Sequence, residues 1–189
     1  SSMKERRVAA SQVLKAEAPP AQPGVENAGQ LIGQLENALY FAKISSYAQG
    51  MALIRAASDA YDWSIDLAEM ARIWTGGCII RAKLLEPIMD AFRANPSLEN
   101  LLLAPNLSPE IIKNASAARA VVGVARAHAM TRPALSAAID YVDSYREANL
   151  PANLIQAQRD FFGAHTYRRV DRPGVFHTDW TTGKTVEVS

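Results

Sequence analysis

The sequence predicts an all-α domain followed by an irregular C-terminal tail. Through positions 1–147, apolar residues recur at helical spacing with alanines between them, and prolines and glycines separate the segments. Past Tyr167 this periodicity stops, and the polar end of the chain follows neither helical nor strand spacing. We therefore divide the chain into a helical region, 1–147, and a tail, 148–189.

The first half of the chain predicts three helices. Met3 to Leu14 has the pattern of a helix end, and the proline-rich run Ala18–Gly24 breaks it. Asp66 caps a short helix that reaches Trp74 and stops before two glycines. The strongest helix lies between these two and ends near Tyr61. Its apolar residues recur near helical spacing, and they are Leu35, Leu39, Ala42, Ile44, Tyr47, Met51 and Ile54.

The second half of the chain predicts further helices. Ile79 to Phe92 is helical, and Pro87 either kinks this segment or divides it into two. Ser108 caps an alanine-rich helix that continues to Met130, and another helix runs from Pro133 to Tyr145. The last helix has Pro151 in its first turn and Gly163 as a left-handed cap.

Composition restricts the classes of function. With 49% hydrophobic residues and a net charge of +1, the chain has the balance of a packed domain and lacks the charge of a nucleic-acid or membrane-surface protein. The single Cys78 cannot form an internal disulfide, which fits a reducing cytosol. No run approaches the roughly 20 apolar residues of a membrane span. We expect a cytoplasmic protein with no nucleic-acid or membrane partner.

Some chemistry-bearing residues have a structural interpretation. His128 and His177 lack cysteine or carboxylate partners at ligand spacing, so we predict no metal site. Cys78 is expected to be a buried, inert thiol. Asp140 and Asp143 are expected on a solvated helix face. Four aromatic residues at helical spacing are expected in the core, and they are Tyr47, Trp74, Tyr141 and Tyr145.

The candidate binding residues are Arg159 and His165. Arg159 is predicted in the last turn of the final helix, and His165 falls just past its cap. A guanidinium fork with an imidazole suits a phosphate or a carboxylate. On spacing alone, the alternative is a helix-end arginine that interacts with the helix dipole beside a surface histidine.

The segment around these two residues resembles the C-terminal segment of 6-phosphogluconate dehydrogenase, the decarboxylating enzyme family of the pentose phosphate pathway. Three other stretches agree in the same order, and Ser1–Val8 is also similar, so the resemblance spans essentially the whole chain. The four stretches are Ala42–Gly50, Ile73–Arg81, Leu150–Tyr167 and Phe176–Trp180. The chain has no Gly-x-Gly-x-x-Gly loop after a strand, so we expect the cofactor domain to be missing.

The resemblance implies NADP-dependent oxidation of 6-phosphogluconate at C3, loss of carbon dioxide, and ribulose 5-phosphate as product. NADP, the catalytic base (a lysine) and the catalytic acid (a glutamate) all belong to parts of the family upstream of Ser1. This chain would therefore hold no catalytic residue and be inactive alone. It would supply the helical dimerisation core. It would also supply Arg159 and His165, which in the family contact the substrate in the active site of the other subunit.

Other positions do not inherit a family role. Lys43 and Arg81 lie in matching stretches, but the family's substrate lysine and arginine belong upstream, so we expect ion pairs or solvated side chains. The chain end, Thr182–Ser189, lacks the serine-rich residues that some members place near the cofactor phosphate, so the cofactor-binding residues stay unknown.

The tail itself predicts a homodimer with exchanged tails. Without periodicity it cannot bury its large rings internally, whereas a partner subunit could cover them. These rings belong to Phe161, Phe162, Phe176 and Trp180.

Two alternatives remain open at this point. One is a catalytically silent helical dimerisation module. The other is a different β-hydroxyacid dehydrogenase with the same helical architecture, and the run that holds Arg159 and His165 argues against it.

Overall fold

Helices dominate the fold, and a small sheet follows them. The computed structural model describes residues 3–14 and 28–188, and the predicted break at Ala18–Gly24 lies outside this part of the chain. The helices are α1 Lys4–Val13, α2 Ala28–Ala60, α3 Leu67–Ile73, α4 Leu85–Ala94, α5 Ser108–Ala127, α6 Pro133–Arg146 and α7 Asn153–Gly163, with a 3-10 helix at Leu101–Leu103. The strands are β1 Tyr167–Arg168, β2 Val175–Asp179 and β3 Lys184–Val188.

The chain forms two compact units. The first, Ser1–Tyr145, contains α1 to α5 and nearly all of α6. The second, Arg146–Ser189, contains α7 and the three strands, and we call it the tail unit.

The 33-residue helix α2 organises the core of the first unit. One face is fully buried, and it carries Ala38, Phe41, Ile44, Ala48 and Met51. These residues recur at spacings of three and four, so this face packs against the remaining helices, most extensively against α5. A second apolar stripe, formed by Ile32, Leu35 and Leu39, stays exposed.

Local signals located several helix boundaries correctly. Asp66 is the N-cap of α3, and its Oδ1 accepts hydrogen bonds from the backbone N–H groups of Ala68 at 2.8 Å and Glu69 at 3.1 Å. The helices near Ser108 and Pro133 also form. Ser108, however, is the first residue of α5 and not its cap, because Leu107 is the N-cap and makes no side-chain cap hydrogen bond. Pro151 also lies before its helix and not in the first turn, since α7 begins at Asn153. However, α5 ends at Ala127, short of Met130, because the chain turns at Ala129 with a φ of 51°.

The predicted helix from Ile79 to Phe92 is wrong in its first part. Helix α4 begins at Leu85, and the residues before it form turns. Pro87 therefore lies in the first turn, where a missing N–H costs no helical hydrogen bond. The proline marks the start of the helix and neither kinks nor divides it.

The prediction of an irregular tail is also wrong, because the tail unit contains an antiparallel sheet of order β1-β2-β3. Tyr167 pairs with Phe176, and His177 pairs with Val186. The β2–β3 turn is closed by Asp179, whose Oδ1 accepts a hydrogen bond from the Thr181 backbone N–H at 2.9 Å. The sheet buries Phe176 to 1% exposure, so this ring finds cover within the chain, contrary to expectation.

Candidate substrate-contact site in the tail

Arg159 lies on the surface of α7. Because the helix extends from Asn153 to Gly163, Arg159 is one turn before its end and not in the last turn as predicted. Its side chain is exposed, and Nη1 donates a hydrogen bond to Oε1 of Gln156 at 3.4 Å. A single contact at this length leaves most of the five guanidinium N–H donors available to an anion.

His165 lies in the turn that follows α7. Gly163 is the last helical residue, and Ala164 takes the left-handed conformation that was predicted for Gly163, with a φ of 49°. Gly163 has a different role: a Cβ at this position would lie 2.9 Å from Nε2 of His165. The glycine is therefore needed as space beneath the exposed imidazole, and the positive φ falls on the next residue.

The most buried polar group of the tail unit is Asp160, which the sequence interpretation missed. Its side chain is 1% exposed although it directly follows the exposed Arg159. Oδ1 accepts hydrogen bonds from the Thr166 backbone N–H at 3.0 Å and from Nδ1 of His177 at 2.9 Å. Oδ2 accepts from the Thr178 backbone N–H and from Nε1 of Trp180, both at 2.9 Å.

Hydrogen bonds from the sheet side keep the carboxylate ionised. Burial alone would raise the pKa of Asp160, but hydrogen bonds from His177, Thr178 and Trp180 outweigh it and lower the pKa from 3.8 to about 2. An ionised carboxylate can only accept, so Nδ1 of His177 carries the proton between them. His177 is thus the partner of a buried carboxylate, and it links α7 to β2.

The residues with expected structural roles lie in the first unit. Lys43 and Arg81 are exposed and line a surface groove of about 550 Å³. Tyr47 packs against the core and donates a hydrogen bond from its hydroxyl to the Ile80 carbonyl at 2.9 Å. Trp74 also packs against the core, with its ring 6.4 Å from that of Tyr47. Cys78 is half-buried, not fully buried as predicted.

The other expected groups divide between core and surface. Tyr141 packs against the core and accepts a hydrogen bond from Nδ2 of Asn100 at 2.7 Å. The core position expected for Tyr145 is wrong, because this side chain is 43% exposed. Asp140 is exposed, and Asp143 pairs with Arg119.

The described residues offer neither a metal site nor a membrane span. Within residues 3–14 and 28–188, no group of three or more His, Cys, Asp or Glu side chains could hold a metal ion. Over the same residues, none of the helices combines the length and the apolar character needed to cross a membrane.

The fold and the tail define the class of protein. It is a helical domain followed by a C-terminal unit in which a turn containing His165 connects a helix to a small antiparallel sheet. Residues 1–180 match the family described as 6-phosphogluconate dehydrogenase, C-terminal domain. The chain therefore belongs to the 6-phosphogluconate dehydrogenase family.

The chain is also similar in sequence to individual members of this family. The chain is 52% identical over 180 residues to the decarboxylating 6-phosphogluconate dehydrogenase of Escherichia coli K12. The matched segment covers 95% of this chain and 38% of that enzyme. It is 50% identical over 182 residues to the spinach protein named 6-phosphogluconate dehydrogenase, decarboxylating 1, and this match also covers 95% of this chain and 38% of the relative. The chain thus spans about 38% of the length of these curated relatives.

A solved structure shows the same fold. The chain is similar to Plasmodium falciparum 6-phosphogluconate dehydrogenase, with a TM-score of 0.85 and 42% sequence identity, over 94% of this chain and 38% of the other. That protein was solved in its apo form, in complex with its cofactor NADP+, and in complex with its substrate 6-phosphogluconate.

Proposed function

We propose that this chain serves as the C-terminal domain of a decarboxylating 6-phosphogluconate dehydrogenase. The whole enzyme oxidises 6-phosphogluconate with NADP and releases carbon dioxide and ribulose 5-phosphate. The observation that carries the proposal is the exposed pair Arg159 and His165, in a chain whose residues 1–180 match this family's C-terminal domain. NADP and the catalytic base and acid belong to the upstream part of the enzyme, so this chain alone should produce no NADPH.

In this proposal, Arg159 and His165 bind the phosphate of the substrate. The guanidinium offers a planar, permanently charged fork that matches two phosphate oxygens, and the exposed imidazole adds a further donor. Losing one charge-assisted hydrogen bond costs about 1.5–3 kcal/mol. Arg159→Ala should therefore raise the KM for 6-phosphogluconate about 10- to 150-fold, and Arg159→Lys should not restore it because the fork is lost.

A homodimer with exchanged tails completes the proposal. The exposed α2 stripe of Ile32, Leu35 and Leu39 has the spacing of a face that packs against another helix. In the tail unit, Phe161, Phe162 and Trp180 keep much of their surface exposed, up to 74% for Phe162. Rings of this size bury about 150–250 Å² each, so a partner surface that covers them would stabilise the assembly. A cytoplasmic location remains our prediction.

Subunit mixing tests both halves of the proposal. To make a full-length enzyme, the upstream part of the E. coli enzyme is fused to the N-terminus of this chain. We call this protein the joined enzyme. Two impaired variants are prepared, one without the upstream lysine base and one with Arg159→Ala. Activity is assayed at a 6-phosphogluconate concentration well below the wild-type KM, where a KM raised at least about tenfold leaves the Arg159→Ala enzyme with at most about a tenth of wild-type activity. If Arg159 acts in the partner's site, mixing should restore about a quarter of wild-type activity, because half of the dimers are mixed and each holds one complete site of two.

The control replaces Arg159→Ala by Arg168→Ala, which removes an exposed arginine from β1 of the same unit. That variant should be fully active before mixing. If subunit exchange is demonstrated by mass spectrometry and mixing restores no activity, the contact is not made across the dimer. If Arg159→Ala and His165→Ala both leave the KM unchanged, the proposed substrate contact is wrong and the catalytically silent module is the better interpretation.

A further inference from the structure

Neighbouring residues on α7 face different surroundings. Successive helical residues are about 100° apart, so Arg159 projects into solvent while Asp160 turns toward the sheet. Asp160 is 1% exposed, and its carboxylate meets donors from two separate places. One is the turn after the helix, and the other comprises β2 and the residue just past it. A buried carboxylate directly beside a candidate binding arginine requires an explanation.

The turn after α7 has an unfavourable backbone. Ala164 and Thr166 adopt φ values of 49° and 61°, on either side of His165. Side chains with a Cβ rarely adopt this left-handed region, and a β-branched threonine does so least of all. Such a conformation persists only when surrounding contacts enforce it. Here the Ala164 N–H donates to the Asp160 carbonyl at 2.9 Å, and the Thr166 N–H donates to Oδ1 of Asp160 at 3.0 Å.

The other side of the carboxylate is held by the sheet. His177 shares Oδ1 with Thr166, and Thr178 and Trp180 occupy Oδ2. Since these donors belong to β2 and the residue after it, the carboxylate cannot move without breaking contacts to the sheet. The turn that contains His165 is thereby fixed to the helix that carries Arg159 and also to the sheet.

We propose that Asp160 is a positioning residue that fixes His165 relative to Arg159. Its Oδ1 binds the Thr166 N–H of the turn after α7, and both of its oxygens bind β2. It acts through these residues and does not itself contact the substrate. The consequence for substrate rests on the proposed function of Arg159 and His165, whereas the effect on the turn does not. A carboxyl group of the right length at position 160 is therefore essential for the geometry of the pair.

The test uses NMR of the complete 189-residue chain. In Asp160→Asn, the amide nitrogen cannot accept the hydrogen bonds that one carboxylate oxygen received. We expect the backbone chemical shifts of residues 164–166 to lose the values typical of a left-handed conformation. The His165 resonances should become averages over several conformations, while the chemical shifts of the first unit stay unchanged. Asp160→Glu keeps the charge and adds a methylene, so it should not restore the turn.

The matched control is Asp171→Asn, which removes an exposed carboxylate from the same unit. Asp171 pairs with Arg169 at 2.6 Å. This control should leave residues 164–166 unchanged. The proposal is overturned if Asp160→Asn also leaves them unchanged, or if Asp160→Glu restores the wild-type turn, since the charge alone would then suffice.

A measurement on the unaltered chain covers the case in which Asp160→Asn fails to fold. An amide hydrogen-bonded to a carboxylate changes its chemical shift when that carboxylate is protonated. Between about pH 5 and pH 2 the Thr166 amide and the Trp180 indole N–H should therefore shift with a common midpoint, because both donate to Asp160. A Thr166 amide that does not follow Trp180 contradicts the proposal.

The kinetic readout separates this inference from the proposed function. In the joined enzyme, Asp160→Asn should raise the KM for 6-phosphogluconate on the order of tenfold, since a misplaced binding group loses its contact, and should leave the KM for NADP unchanged. If the turn changes as expected but KM does not, the positioning role stands and the phosphate-binding role of His165 is wrong.

Discussion

Acidification should destabilise the tail unit by protonating one buried carboxylate. Asp160 has a pKa lowered from 3.8 to about 2: its burial opposes this shift, and hydrogen bonds from His177, Thr178 and Trp180 outweigh it. In the unfolded chain the carboxyl returns to its ordinary value. A group whose pKa is lower in the folded state stabilises that state above the unfolded pKa. The contribution is therefore complete at pH 7 and is lost as the pH falls from about 5 to about 2.

The magnitude follows from the pKa difference. At 1.36 kcal/mol per pKa unit, the change from 3.8 to about 2 corresponds to at most about 2.4 kcal/mol. The imidazole of His177 is 32% exposed, so solvent screens part of this interaction. We expect about 1–2 kcal/mol of local stability at pH 7.

Native-state hydrogen exchange measures this quantity without requiring global unfolding. The Thr178 amide donates directly to Asp160 and reports the opening of the sheet around it. Its opening free energy should be higher in the wild-type chain than in Asp160→Asn at pH 7, and the difference should vanish near pH 2. Asp171→Asn serves as control and should change little, because solvent screens the exposed pair with Arg169. A difference that is constant with pH, or that grows on acidification, would refute the reasoning.

Two further predictions concern packing. Gly163→Ala should raise helix stability by less than about 0.5–1 kcal/mol, the gain expected at a mid-helix glycine, because Gly163 is the last residue of α7. Its Cβ would lie 2.9 Å from Nε2 of His165 and displace the ring. Urea unfolding should therefore show no loss, while the KM for 6-phosphogluconate rises in the joined enzyme, and an unchanged KM would mean that His165 is not used in this position. Leu101→Ala should destabilise the first unit by about 2–5 kcal/mol, because this side chain is fully buried. Leu103→Ala, at a side chain 55% exposed on the same 3-10 helix, should cost less than about 0.5 kcal/mol in the same urea experiment.

Local signals explain why most helices were predictable. Asp66 caps α3 through its own side chain, and the apolar spacing of α2 follows from the helix repeat itself. The same kind of signal was available at Pro87, where a first-turn proline marks the start of α4. Interpreting that proline as an interruption extended the predicted helix backward by several residues.

The sheet left a weaker signal that was present in the sequence. Val175–Asp179 and Lys184–Val188 both contain β-branched valine and threonine residues, and Gly183 lies between the two runs. Two such runs around a glycine turn are typical of a hairpin. The strands have two to five residues, which is too short for periodicity to stand out from a polar tail.

The sequence by itself determined the helical class, the family resemblance, and the candidates Arg159 and His165, because these depend on residues close together in the chain. Only the tertiary structure decided which tail residues are buried and what holds His165 in place. The donors of Asp160 from β2 and Trp180 lie 17 to 20 residues away, and no local spacing relates an aspartate on a helix to a histidine on a strand. Asp160 became identifiable only when folding removed its carboxylate from water, because a buried charge must then find its hydrogen bonds within the protein.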